Sequence, residues 1–247
     1  MALKMTYNVD MCFCIDATGS MGPVINTVKQ NALSFYKDVV AVMEKKQKTI
    51  NSMRVKVIIF RDYVADEEPM LMTKFFQLPQ EAAQFESCIN SIYAAGGGDE
   101  PEDGLEALAY AIRSDWTKEG TKKRNIIVVW TDASTHPIGY AKNEPKYPKG
   151  MPADFNELTR WWGDCQMEPY IKNAAKRLVL FAPKVPYWEQ ISSTWNNVIH
   201  YPSTAGKGLE EFTYKEIVDA ICNSIRHVSV KVMNSDYNRS SAKRQEE

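Results

Sequence analysis

Thiol and imidazole ligands are scarce in this chain: 247 residues include five cysteines and three histidines, with no CxxC pair and no Cys/His cluster. That scarcity argues against a structural zinc site. Cys12 and Cys14 alternate within an apolar run and read as small buried side chains on one sheet face. No apolar run approaches the roughly 18 to 20 residues of a membrane-spanning helix, and the opening MALKMTYNVD lacks the apolar stretch of a secretory signal, so the expected location is cytoplasmic. Charge of one sign is also missing. Thirty basic against 31 acidic side chains leave a formal net charge of -1, which supplies no overall pull toward nucleic acid or an anionic membrane. Gly96 to Gly98 are followed by no lysine, so they do not form a GxxxxGK[ST] phosphate loop.

What is present is an alternation of β-branched apolar runs with segments of 3.6-residue periodicity. That pattern predicts an α/β fold: a doubly wound, Rossmann-like, mostly parallel sheet with helices on both faces. The near-continuous apolar run from about Asn8 to Asp16 predicts a strand buried on both sides. Gly22-Pro23 opens a helix expected to run unbroken to about Lys46. Met53 to Phe60 predicts the second strand, with Thr73 to Leu78 as a short antiparallel edge strand. Phe85, Cys88, Ile89 and Ile92, then Leu105, Leu108, Ala109 and Ile112, predict two short helices around the glycine run. NIIVVWT over 125–131, then Leu178 to Ala182 and Val198 to Tyr201, predict three further strands. A capping box at Thr213 and Glu216 starts a last helix. These elements predict one domain over 5–228, an insertion at 137–168 at the top of the sheet, and a disordered tail at 234–247.

Ligands of open α/β sheets bind outside the carboxyl ends of the strands. Three loops expected there carry oxygen donors: Asp16, Thr18 and Ser20 after the first strand, Asp99 after the glycine run, and Asp132 after NIIVVWT. Asp16, Thr18 and Ser20 are spaced by two, so an extended loop turns three oxygens to one side, as a hard cation such as Mg²⁺ requires.

The order apolar strand, DATGSM, long helix, GGGDEPEDGLEAL, VVWTDAS resembles a von Willebrand factor A domain with a metal-ion-dependent adhesion site, from about Tyr7 to Ile225. The resemblance implies a site for Mg²⁺ or Mn²⁺, with Ca²⁺ less suited, through which another protein is bound, in part by an acidic side chain. Asp16, Thr18 and Ser20 match the first motif of that family and Asp132 its final aspartate. Asp99 falls where many members carry threonine, and a third carboxylate there implies firmer metal binding and weaker reliance on an acidic partner residue. GGGD-x-PE, TDAS-x-H and Arg61-Asp62-Tyr63 resemble the intracellular and bacterial stand-alone forms, some of which work beside kinases and phosphatases.

DATGS also resembles the nucleophile motif of haloacid-dehalogenase-type phosphotransferases, which would make Asp16 a nucleophile. No later GDxxxD pair and no room for a flap before the long helix accompany it, so a non-enzymatic protein is expected. A third reading is a metal-free structural domain. Three further residues are candidates for partner contact: His136 close behind Asp132, and Trp161 and Trp162 in the insertion. Simple capping of the long helix by Ser20, and core packing of the two tryptophans, are the plainer readings of the same residues.

Overall fold

In the computed structural model, which describes residues 5–96, 100–120, 122–163 and 169–226, the central strand is β1 (Met5–Asp16). Val9, Met11, Phe13 and Ile15 face one core and Cys12 and Cys14 the other, all buried. Strand alternation thus feeds two apolar layers from one apolar run. Beside β1 lie β2 (Lys48–Phe60) and β5 (Lys123–Trp130), both parallel to it. The sheet continues from β5 through β6 (Lys176–Pro183) to β7 (Val198–Ser203), again parallel. On the outer edge of β2, two short strands, β3 (Met70–Met72) and β4 (Phe76–Leu78), run antiparallel. The edge strand expected within Thr73 to Leu78 is β4, β3 just before it is an additional one, and the order is β3-β2-β1-β5-β6-β7 with β4 also on β2.

Helices α1 (Gly22–Asn31), α2 (Phe35–Lys45), α3 (Ala82–Ser91) and α7 (Tyr214–Arg226) cover one face. The other face is covered by α4 (Gly104–Ile112), α5 (Phe155–Trp162) and α6 (Trp188–Thr194). The doubly wound α/β architecture expected from the alternation is the one observed. Thr213 and Glu216 form the expected capping box at α7: the Thr213 amide and hydroxyl donate to Glu216 Oε2 at 2.9 and 2.8 Å.

The single helix expected from Pro23 to Lys46 is instead two. Asn31 Nδ2 donates to the Thr27 carbonyl at 2.8 Å and Ser34 Oγ to the Asn31 carbonyl at 3.2 Å. Local side-chain bonds of this kind compete with the helical ladder. The chain turns at 32–34 before α2 begins. Helix α6 had no periodic signal, since Trp188 and Ile191 are its only buried residues.

After β1 the chain winds to β2 on one side, and after β5 it winds to β6 on the other. The carboxyl ends of β1 and β5 therefore border the crevice at the topological switch point, the usual ligand position of such sheets. Among the described residues, no helix is long and apolar enough to cross a membrane.

Candidate functional site

Register brings the first pieces together. Ile15 pairs with Trp130 across β1 and β5, so Asp16 and Thr131 emerge side by side, and the Thr131 hydroxyl donates to Asp16 Oδ2 at 2.7 Å. Asp16 Oδ1 accepts from the Thr18 amide at 2.9 Å and the Thr18 hydroxyl at 2.7 Å. One residue further along, the Ser20 hydroxyl donates to Asp132 Oδ1 at 2.9 Å across 112 positions of sequence. Helix capping by Ser20 is not what the structure contains: Met21 stands at the N-cap of α1 with no side-chain capping bond, and the Ser20 hydroxyl donates to Asp132 instead. Asp16, Thr18, Ser20 and Asp132 thus form one constellation, while Asp99 lies outside the described residues.

Two glycines that carried no signal of their own complete it. The Gly208 amide donates to Asp132 Oδ2 at 2.7 Å and the Gly206 amide to the Asp132 carbonyl at 3.0 Å. Gly208 has φ +59, and a Cβ there would stand 2.2 Å from the Ser20 carbonyl oxygen. Only glycine combines that conformation with that approach.

Burial pushes the Asp16 carboxyl up to about 6, against the three hydrogen bonds from Thr131 and Thr18 that favour its charged form, and the Asp132 charge adds to the rise. A positive ion would relieve both burial and repulsion. Among the described residues no three His, Cys, Asp or Glu side chains are arranged to hold a metal ion. An ion here must therefore draw on the hydroxyls as well as the two carboxylates, a donor set of hard oxygens that suits Mg²⁺.

A second acidic group begins where α4 begins, and sequence reasoning missed it. A parallel bridge joins Glu102 to Thr135, and the Glu102 amide donates to the Ser134 carbonyl at 3.0 Å. Glu102, Asp103 and Glu106 are buried at 2 %, 0 % and 0 % exposure, and each leaves one carboxylate oxygen with no partner: Oε2, Oδ1 and Oε2. Burial pushes Glu102 up to about 9, helped chiefly by the nearby Asp16 charge. Asp103 rises to about 7 through burial and the Glu106 charge. Glu106 rises to about 7 through burial, against hydrogen bonds from the Gly139 amide at 2.9 Å and the Tyr147 hydroxyl at 2.8 Å. Glu102 is the member of this group whose charge couples most strongly to Asp16, and its Oε2 is unsatisfied. Its only sequence signal was the run PEDGLE, which reads equally well as an acidic first helical turn.

His136 is buried at 7 % exposure, with Nε2 2.9 Å from Asp62 Oδ2, and its ring stacks on the exposed Tyr140 at 4.0 Å. It is near the site but presents Tyr140, not itself, to solvent. Trp161 and Trp162 do not offer a contact patch. Both are buried, at 7 % and 2 %; Trp162 donates to the Asn196 carbonyl at 3.0 Å and stacks on Trp195, and Trp161 packs on Tyr170. The helix turns its apolar face inward, so the plainer core reading applies. Beside the site, the loop after β2 and the insertion enclose a groove of about 270 Å³ whose walls include Val64, Asp66, Glu67, Glu144 and Lys146.

Comparison with known proteins gives three findings. The family model described as von Willebrand factor A domain matches residues 10–142. An alpha-protein kinase, vwkA, of Dictyostelium discoideum is 25 % identical over 151 residues, which is 61 % of this chain and 22 % of that protein. The chain therefore spans about a fifth of that relative's length. Among solved structures, the pilus adhesin SpaC of Lactobacillus rhamnosus GG superposes with a TM-score of 0.51 at 10 % identity, over 91 % of this chain and 31 % of that one. At that identity the likeness concerns the fold.

Proposed function

Because the chain belongs to the von Willebrand factor A domain family, whose members generally serve in protein interaction, we propose that it is a non-enzymatic protein-binding module whose binding depends on a divalent cation, Mg²⁺ or Mn²⁺. Asp16, Thr18, Ser20 and Asp132 would hold the ion, and Asp99, which follows the glycine run in sequence, is the further donor we propose. When bound, the ion supplies positive charge for an oxygen of the partner, including a carboxylate. The observation that carries this reading is the Ser20 to Asp132 hydrogen bond at 2.9 Å, joining two strand-end loops at the switch point.

The chain's own residues do the preparatory work. Thr131 and Thr18 orient Asp16, and Gly208 and Ser20 orient Asp132, so the donors hold their geometry before binding. The partner is another protein, gripped by the strand-end loops and the adjoining insertion. The similarity to part of a protein kinase supports a role linked to phosphorylation. A phosphotransferase with Asp16 as nucleophile is disfavoured, since the strand end after β5 offers Asp132 without the second aspartate of a GDxxxD pair.

Titration of Mg²⁺ and Mn²⁺ into the protein, followed by heat and by thermal unfolding, tests the proposal. At a hundred times the dissociation constant, a bound ion should stabilise the fold by about 2.7 kcal/mol. Asp132→Ala should abolish both signals, and partner capture should fail in chelator and with Asp16→Ala. A wild-type chain that neither takes up heat nor shifts its unfolding with either ion sinks the metal-dependent reading.

A further inference from the structure

Arg61 follows directly on β2, is buried at 4 % exposure, and makes no ion pair among the described residues. Its guanidinium is satisfied by backbone instead. Nε donates to the carbonyls of Ala17 at 3.2 Å and Ala95 at 3.0 Å, Nη1 to that of Glu68 at 3.0 Å, and Nη2 to that of Tyr93 at 2.9 Å. The plane also lies over the Tyr93 ring, 5.2 Å from its centre. Three separate stretches of chain meet on one side chain: the loop after β1, the stretch leading into the glycine run, and the loop before β3.

Those first two stretches also bond each other directly. The Ala95 amide donates to the Ala17 carbonyl at 2.9 Å and the Gly19 amide to the Gly96 carbonyl at 3.3 Å. Ala17, the residue after Asp16, is therefore held by Arg61 and Ala95 on its carbonyl and by β2 on its amide, which donates to the Phe60 carbonyl at 3.0 Å. Buried charge is costly unless its hydrogen-bonding capacity is met. A guanidinium meets it with five N–H groups in a fixed plane, so one residue can address several segments at once. A lysine ammonium on a flexible stem cannot span them.

We propose that Arg61 is the positioning residue of the candidate site, setting the spacing between the Asp16 loop and the stretch 93–96 so that Asp16 and its neighbours are in place before any ion or partner arrives. The consequence for binding rests on the proposed function; the clamp itself does not. The loop that carries Asp16 and the stretch 93–96 are thus tied to one buried cation, which keeps the Asp16 carboxylate from splaying away from β5.

The test uses the full chain with Arg61→Lys, read by amide hydrogen exchange in chelator and by Mn²⁺ titration. Exchange over residues 17–20 and 93–96 should quicken about tenfold or more, the effect of losing a charge-assisted hydrogen bond, while β5 and β6 amides stay as in wild type. The Mn²⁺ dissociation constant should rise about tenfold in step. Unchanged exchange in both segments overturns the proposal, and so does a quickening spread evenly through β5 and β6. Should the variant not fold, the wild-type chain answers alone. Its Arg61 Nε–H, observed by nitrogen-15 labelling in chelator, should resist solvent exchange, and exchange at the rate of an exposed arginine overturns the clamp. The expected exchange pattern together with no Mn²⁺ binding by wild type upholds the clamp and removes the metal reading.

Discussion

Asp16 and Asp132, at the ends of β1 and β5, have a donor on every carboxylate oxygen, whereas Glu102, Asp103 and Glu106, at the start of α4, each leave one buried oxygen bare. Burial is nearly complete in both groups. Hydrogen bonding is what separates them: Asp16 rises only to about 6, while the α4 group reaches about 7 to 9. Donors stabilise the ionised form and burial opposes it. Asp16 is therefore prepared to act as an anionic ligand at neutral pH. The second group holds protons there, or gives them up at a cost in stability.

The widest separation between the groups should appear on neutralising Glu106. Its folded value of about 7 lies above the usual 4.5, so its contribution to folding is full below about pH 4.5 and is lost as pH rises through about 7. Glu106→Gln keeps an acceptor for Gly139 and Tyr147 and removes the charge. Relative to wild type it should gain about 3 kcal/mol at pH 8 and little at pH 4. Urea unfolding at the two pH values checks this, and equal offsets at both would erase the contrast between the regions.

A smaller effect is expected from breaking the first group through its brace. Gly208→Ala places a Cβ against the Ser20 carbonyl in a positive-φ conformation, and should cost about 2 kcal/mol in chemical denaturation. A wild-type midpoint in that variant would mean that Gly208 does not hold Asp132. Smallest in stability is Ser20→Ala. Ser20 is exposed, so losing its bond to Asp132 should cost less than about 0.5 kcal/mol. Divalent-ion affinity, by contrast, should fall about tenfold in calorimetric titration. Parallel losses, or none in affinity, would remove Ser20 from the binding constellation.

Legibility in the sequence followed the range of each cause. The strands of the parallel core, both short helices around the glycine run and the α7 capping box were readable because periodicity and capping act within a few residues. Breakage of the first long helix at 32–34 was readable only in hindsight, since Asn31 and Ser34 also occur inside helices. Asp16, Thr18, Ser20 and Asp132 stood out by spacing. Glu102 did not, because an acidic residue before a helix is common and only its burial beside Asp16 makes it unusual.

From residue order alone came the class of fold, the two strand ends bearing aspartates, and the hydroxyls that accompany them, since each depends on chemistry within one short segment. Tertiary structure decided which distant groups meet. The crossover at β1 and β5 sets Thr131 against Asp16 and Ser20 against Asp132. Loop packing then adds Gly208, Arg61 and the bare carboxylates of α4. Those pairings span up to more than a hundred residues, and no local preference encodes a contact whose geometry is set by the winding of the sheet.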